Sequence, residues 1–263
     1  MNRSTPLSLL SRLCLVCGLT LPFVAACLSA AEPPANPAPP LRVGISPVFP
    51  PMAFKQGKEL VGAEVDLARA LGTKLNRPVV FVELPWKDQI DALNSSRTDI
   101  IMSSMSITPA RRHLVQFTQP YLLVGQMALV PRTDVHKYLL GFPATLPGVV
   151  GVLPATTGEF LVQRDFPRAK LKQFKTSADA VRALQRNKIS MFISDSTLVW
   201  HLAARHAADG LTVAPLPLSE EQLAWAVRKS DTSLHSSAEQ LISDSLKDGS
   251  LIKTLQRWTA IGN

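Results

Sequence analysis

Cysteine is nearly absent from the sequence, and none occurs after residue 27. The three cysteines of the 263-residue chain are Cys14, Cys17 and Cys27. Nothing after Cys27 can therefore form a disulfide, supply a thiolate to a metal or act as a cysteine nucleophile. This excludes disulfide-stapled scaffolds, thiolate zinc sites and cysteine hydrolases for the body of the protein.

Motifs for nucleotides, serine hydrolysis and metals are missing too. There is no G-x-G-x-x-G fingerprint, no phosphate-loop lysine motif and no G-x-S-x-G turn, and the five histidines form no H-E-x-x-H pair. The net charge of +8 comes from scattered residues, with no Lys/Arg run longer than two. We therefore expect no metal, no cofactor and no nucleic-acid partner.

Long apolar runs are confined to the N-terminal region. Arg3 precedes an almost wholly apolar stretch, residues 13–26, which is short for a membrane span and predicts a secretory signal. Two endings fit: a signal peptide of residues 1–31, or a lipoprotein signal of residues 1–26 with Cys27 lipidated. Residues 32–40 form a proline-rich leader. We expect a periplasmic protein, either free or anchored through Cys27.

The body, which is ordinary in composition, alternates β-branched runs with amphipathic stretches, a pattern that predicts parallel βαβ units. Residues 43–47 are echoed by residues 150–154, and residues 100–104 by residues 191–195. The echo predicts two α/β lobes of one kind. Because ligands bind beyond the carboxyl ends of parallel strands, the two facing rims of a cleft would carry Ser46, Ser103, Ser104 and Asp195.

The segment 103–112 carries the most specific local signal. Thr108 is a good N-cap and Pro109 a good first helical residue. Arg111 then falls in the first helical turn, where a cation opposes the helix dipole. A bound carboxylate, held by the guanidinium fork, would offset this charge. The alternative is a capped surface helix with exposed arginines.

Three further positions have a functional and a structural interpretation. Thr157 either donates to a ligand carboxylate or belongs to a capping-box helix start, in which Thr156 pairs with Glu159. Asp195 either accepts an ammonium group or caps the next helix. Phe49 and Trp86 either line a cleft or pack in the core. An arginine on one rim and a carboxylate on the other would complement a zwitterion.

In this order and spacing, the motifs resemble the periplasmic solute-binding proteins of polar amino-acid ABC transporters. The resemblance runs from about residue 41 to residue 258, essentially the whole body. It is carried by residues 41–44 (LRVG), 49–54 (FPPMAF), 61–67 (VGAEVDL), Trp86, 106–111 (SITPAR), 115–121 (VQFTQPY), 150–152 (VGV), 156–158 (TTG), Asp195, 225–229 (WAVRK) and 248–251 (DGSL).

The resemblance implies a two-lobed α/β fold, the type II periplasmic-binding-protein fold, with two crossover strands and a ligand cleft between the lobes. Lobe 1 would comprise residues 41–130 and 216–263, and lobe 2 residues 131–215. It also implies the site: Arg111 would clamp the ligand carboxylate, helped by Ser104, Ser106 and Thr157. Asp195 would take the ammonium group, and the ligand side chain would face Ser46, Phe49, Ser103 and Trp86.

Four positions depart from the family pattern. Ser46 stands where binders of basic amino acids often carry an acid, which argues against lysine or arginine as ligand. Ser104 and Ala155 replace frequent glycines, and Ala110 replaces a common glutamate. None of these changes removes the zwitterion clamp.

The resemblance implies a non-enzymatic function: capture of an amino acid or similar small zwitterion, by a monomer, for an inner-membrane ABC permease. One alternative is an enzyme similar to periplasmic cyclohexadienyl dehydratases. That reaction needs a proton donor, and the motifs place no cleft acid besides Asp195, while Glu64 and Glu159 stay unplaced. Another alternative is an accessory or sensory protein on the same fold.

Overall fold

A computed structural model describes residues 38–143, 146 and 148–259. The predicted signal segment, both of its endings with Cys27, and most of the proline-rich leader lie outside the described residues. Within the described part, no helix has the length and apolar character needed to cross a bilayer.

Strands and helices alternate through the described residues. In chain order the strands are β1 (Leu41–Ile45), β2 (Val48–Phe49), β3 (Ala53–Gln56), β4 (Glu59–Val61), β5 (Val79–Glu83), β6 (Ile100–Ser106), β7 (Gln116–Phe117), β8 (Leu122–Val124), β9 (Gln126–Pro131), β10 (Val149–Val152), β11 (Lys170–Gln173), β12 (Met191–Asp195), β13 (Leu211–Val213) and β14 (Glu221–Val227). The helices are α1 (Ala63–Lys74), α2 (Gln89–Asn94), α3 (Pro109–Leu114), α4 (Thr157–Asp165), α5 (Ser177–Gln185), α6 (Ser196–Arg205), α7 (Thr232–Lys247) and α8 (Ser250–Trp258), and 3₁₀ turns span Trp86–Asp88 and Arg132–Tyr138.

Two sheets of the same plan organise the chain. The first has the strand order β5-β1-β6-β14-β7, with β8 also paired to β14, and the second has the order β11-β10-β12-β9-β13. In each sheet three parallel strands stand beside one antiparallel strand, β14 next to β6 and β9 next to β12. A small antiparallel sheet, β2-β3-β4, lies between β1 and α1 in the chain. The predicted two-lobed α/β architecture is confirmed.

The echoed segments occupy equivalent strands. Residues 43–47 and 150–154 span the carboxyl ends of β1 and β10, the middle of the three parallel strands in each sheet. Alternate side chains of a strand point to opposite faces, and in β12 Phe192 enters one apolar cluster while Met191 and Ile193 enter another. Because both faces are covered, such parallel strands need continuous apolar runs, which accounts for the composition of these segments.

Two connections join the sheets and touch each other. One passes from β8 to β9 through Gly125, and the other from β13 to β14 through residues 214–220. A Cβ atom on Gly125 would lie 2.1 Å from the carbonyl oxygen of Ser219. Only glycine permits this close approach.

Strand pairing moves one predicted lobe boundary. The boundary at residue 131 assigned β9 to the first lobe, but β9 pairs with β12 and β13 of the second sheet. Backbone pairing decides sheet membership, so we propose that the second lobe begins directly after Gly125. The other boundary, at residue 215, stays a prediction; β13 ends at Val213 and β14 begins at Glu221.

Candidate functional site

The predicted serines lie at the carboxyl ends of neighbouring parallel strands. Ser46 follows β1, while Ser103, Ser104 and Ser106 belong to the end of β6, and all four are buried. The Ser46 N–H donates to Ser103 Oγ at 2.9 Å, which joins the two strand ends. Ser104 Oγ is buried and has no hydrogen-bond partner within the described part of the chain.

A buried carboxyl group holds Ser104 in an unusual conformation. Ser104 has a φ of 55°, a left-handed conformation that glycine adopts more easily. Its N–H donates to Glu64 Oε1 at 2.7 Å, and Tyr121 Oη and Trp225 Nε1 donate to the same carboxyl group. Burial raises the pKa of Glu64 despite these donors. Glu64 therefore supports the backbone at Ser104, with both of its oxygens occupied by the fold.

Arg111 is a buried cation whose guanidinium, within the described residues, is hydrogen-bonded only to backbone carbonyls and packs on an aromatic face. Thr108 Oγ1 accepts from the Arg111 N–H at 3.2 Å, so the predicted cap of α3 is present. The guanidinium donates to the carbonyls of Ser106 (2.9 Å) and Ala155 (3.4 Å). Its Cζ lies 5.2 Å from the ring centroid of Trp86. Arg111 is only 9% exposed, so the surface-arginine alternative is wrong for this residue.

Trp86 and Phe49 come from the first lobe and contact the second. Trp86 Nε1 donates to the Ala155 carbonyl at 3.0 Å. The two rings meet edge to face with centroids 5.7 Å apart. Both pack with an apolar cluster that contains Leu153 and Phe174 of the second lobe. The carbonyl of Ala155 thus accepts from two predicted site residues of the first lobe, Trp86 and Arg111.

The start of α4 contains the predicted capping box in shifted form. Thr156 Oγ1 accepts from the Glu159 N–H at 3.4 Å, and Glu159 Oε2 accepts from the Ala155 N–H at 2.7 Å. The return bond ends one residue before the N-cap rather than on it. Thr157 stands outside the box, and its Oγ1 accepts from Gln126 Nε2 at 3.1 Å.

Asp195 is the last residue of β12 and occupies the N-cap position of α6. It precedes α6 but makes no side-chain cap, so the capping alternative is wrong. Oδ1 accepts from Gln126 Nε2 at 2.6 Å. The pKa of Asp195 is raised to about 7, first by burial and then by the charge of nearby Glu221, while the Gln126 hydrogen bond and the Arg111 charge lower it. The charges of Arg111 and Asp195 therefore each change the pKa of the other residue.

Two residues at the site were not among the predicted ones. Gln126 is fully buried and binds both Asp195 and Thr157. Glu221 lies near enough to Arg111 and Asp195 to raise the pKa of both, which corrects the expectation that Asp195 is the only cleft acid. Neither has a local sequence signal, because each reaches the site through pairing of distant strands.

Glu221 also faces a cavity beside the crossover connections. Ser219 Oγ donates to Glu221 Oε1 at 3.0 Å, whereas Oε2 is buried without a partner among the described residues. The cavity has a volume of about 830 Å³, and its walls include Thr108, Thr157 and Trp200. In the described part of the chain, no group of three or more His, Cys, Asp or Glu residues is arranged to hold a metal ion.

Comparison with protein families and curated proteins gives concordant matches. A family model described as bacterial extracellular solute-binding proteins, family 3, matches residues 41–261. A probable histidine-binding protein of Neisseria gonorrhoeae is 31% identical over 208 residues, which are 77% of this chain and 76% of the relative. A histidine-binding periplasmic protein of Salmonella typhimurium is 33% identical over 153 residues, 57% of this chain and 56% of the relative.

Solved structures match over most of the body. A putative binding component of an ABC transporter from Wolinella succinogenes, complexed with lysine, has a TM-score of 0.78 and 28% identity, covering 84% of this chain and 96% of that one. An ancestral amino acid-binding protein, described as a precursor of cyclohexadienyl dehydratase, has a TM-score of 0.76 and 31% identity, covering 83% and 95%.

Proposed function

This chain belongs to the bacterial extracellular solute-binding proteins, family 3, and we propose that it captures a free amino acid for uptake by an ABC transporter. The observation that carries the proposal is Arg111. Its guanidinium is about nine-tenths buried and is bonded only to backbone carbonyls within the described residues. A buried charge is costly unless it is paired, and the carboxylate of an amino acid supplies that pair.

The remaining site residues fit the other groups of an amino acid. The further donors to the ligand carboxylate are Ser106, Thr157 and Ser104, whose buried hydroxyl has no hydrogen-bond partner among the described residues. Asp195 receives the ammonium group, and Ser46, Phe49, Ser103 and Trp86 face the side chain. Because the two charged ends of the ligand need groups from both lobes, binding favours the closed arrangement, and no reaction is involved.

Two observations bear on the class of amino acid. Relatives are named for histidine and arginine, and one similar structure holds lysine. Against a basic side chain, Ser46 offers only a hydroxyl where binders of lysine and arginine often place an acid. Export to the periplasm, with the protein either free or anchored through a lipidated Cys27, the monomeric state and an inner-membrane permease partner belong to the same proposal.

A second candidate function is a dehydratase on the same fold. It is favoured by the similarity to a precursor of cyclohexadienyl dehydratase and by the pKa of Asp195, about 7, which suits a proton donor. Its substrate class would be a prephenate-like dicarboxylic acid. Arg111 would then hold one carboxylate, and the second would need another cation in the cleft.

A thermal-shift screen tests the proposal. We would heat the chain without its predicted signal segment in the presence of 1 mM histidine, arginine, lysine, glutamine or prephenate. A ligand with micromolar affinity adds about 4 kcal/mol, which raises the Tm by roughly 8–16 °C for a body of this size. A shift with one or more amino acids is expected. A shift with prephenate alone, followed by product formation, would contradict the transport function and support the enzyme.

A further inference from the structure

Gln126 is a buried amide that no predicted role accounts for. It opens β9 and pairs directly with Asp195 of the antiparallel strand β12. Its side-chain nitrogen, Nε2, donates to Asp195 Oδ1 at 2.6 Å and to Thr157 Oγ1 at 3.1 Å. Both amide hydrogens are therefore donated to residues that the proposed function assigns to ligand binding.

The amide oxygen has no such partner. Oε1 is buried without a hydrogen bond among the described residues, and an unpartnered buried acceptor destabilises a fold. It lies over Gly158, where an added Cβ atom would be 2.5 Å from Oε1. Gly158 has no positive φ, so the helix does not require glycine at this position. The glycine instead provides the space that the amide occupies.

The backbone of Gln126 is attached to the second crossover connection. Its N–H donates to Ser219 Oγ at 3.0 Å, and its carbonyl accepts from the Leu218 N–H at 2.7 Å. Gln126 thus has a fixed backbone next to the connections between the two sheets and a side chain that donates to Asp195. A residue held at both ends is suited to orienting the carboxyl group that it contacts.

We propose that Gln126 is a positioning residue: it orients the Asp195 carboxyl group that receives the ligand's ammonium group. This inference rests on the proposed function. Gln126 holds Oδ1 of Asp195, fixes the rotation of the carboxyl group and leaves Oδ2 to the ligand, while Gly158 makes room for the amide. The hydrogen bond from Gln126 goes to Oδ1 and not to Oδ2. The other charged groups that act on Asp195 are Arg111 and Glu221.

Carboxyl NMR on the ligand-free protein tests the first half of this proposal. Aspartate labelled with ¹³C is titrated from pH 4 to 9, and the signal of Asp195 is assigned by its loss in Asp195→Asn. Gln126→Met keeps the side-chain length and removes the donor to the ionised carboxyl, so the Asp195 midpoint should move to higher pH. Gln116→Met, the same change at an exposed position, should leave it in place. An unchanged midpoint in Gln126→Met would overturn the inference.

Affinity measurements test the second half, with histidine, arginine and glutamine as probes. Loss of one hydrogen bond to a charged group should weaken binding by about 10- to 150-fold at pH 7 in Gln126→Met, with no change in Gln116→Met. Equal affinities in all three proteins would refute the positioning role. If no probe binds the wild type, the proposed function fails instead, and the NMR comparison still decides whether Gln126 holds Asp195.

Gly158→Ala approaches the same contact from the other side, which matters if Gln126→Met does not fold. Alanine normally favours a helix over glycine, but here it should lower the Tm and raise the Asp195 midpoint, because the new Cβ displaces the amide. The double variant Gln126→Ala/Gly158→Ala should regain Tm relative to Gly158→Ala but keep the raised midpoint. A Gly158→Ala protein with wild-type titration would contradict the proposed packing.

Discussion

Asp195 is a site residue whose charge state depends strongly on its surroundings. Burial raises its pKa from 3.8 to about 7. The folded, empty protein therefore holds this proton more tightly than the unfolded chain does. Between about pH 4 and pH 7 the group alone lowers the free energy of unfolding as the pH rises. A ligand ammonium reverses this preference, because it binds the ionised carboxyl group.

Ligand affinity should consequently increase with pH up to about 7 and then level off. Arginine and glutamine have no side chain that titrates between pH 5 and 8, whereas the imidazole of histidine does, so with the first two ligands Asp195 dominates the change. Affinity at pH 5 should be roughly 100-fold weaker than at pH 8. Calorimetric titrations across this range measure the profile.

Asp195→Asn is the control for this profile, because the amide keeps the size of the side chain and has no charge to titrate. It should bind weakly at every pH, with a much flatter dependence. A wild-type affinity that is constant from pH 5 to 8 would show that Asp195 does not receive the ammonium group.

At the scale of elements, two rims of the site contain non-glycine residues in a left-handed conformation. Ser104 lies near the end of β6 with a φ of 55°, and Ala155 lies between β10 and α4 with a φ of 61°. These are the two positions at which the resembling family often has glycine, and the backbone gives the physical reason. The strain is kept because each position holds a contact: Glu64 for Ser104, and Trp86 for the carbonyl of Ala155.

Ala155→Gly should therefore stabilise the protein. A left-handed conformation costs an L-residue about 1–2 kcal/mol, part of which is offset by the greater freedom of glycine in the unfolded chain. We expect a gain of about 0.5–1 kcal/mol, seen as a Tm increase of roughly 1–4 °C. Ala204→Gly, at an exposed helical position in α6, should lower the Tm instead. A decrease in both variants would contradict the strain at Ala155.

The sequence predicts the helix starts and strand ends of the site better than the contacts between residues distant in the chain. Thr108 and Pro109 start α3 through contacts three residues apart, so a local pattern suffices. The order of motifs along the chain predicts Arg111 and Asp195 through family resemblance. Gln126 and Asp195 are 69 residues apart, and their contact depends on the register of β9 against β12. No pattern within either segment determines that register. Glu221, the first residue of β14, likewise reaches the site through the pairing of distant strands.

At the scale of the whole molecule, the site is assembled from two sheets that meet across a cleft. Trp86 and Arg111 from the first lobe both donate to the carbonyl of Ala155 in the second. A ligand carboxylate would give Arg111 a charged acceptor in place of a backbone carbonyl, which is the stronger hydrogen bond. Capture and closure are then one equilibrium, favoured by the differential affinity of the ligand for the closed arrangement.

The most direct test of this account is calorimetric titration of Arg111→Ala and Arg112→Ala with the amino acid that the screen identifies. The two arginines are neighbours in α3, but Arg111 is buried at the cleft and Arg112 is exposed. Arg111→Ala should lose about 2–5 kcal/mol of binding free energy, roughly 30- to 5,000-fold in Kd, while Arg112→Ala binds like the wild type. Wild-type affinity in Arg111→Ala would contradict the central claim that this buried cation clamps the ligand carboxylate.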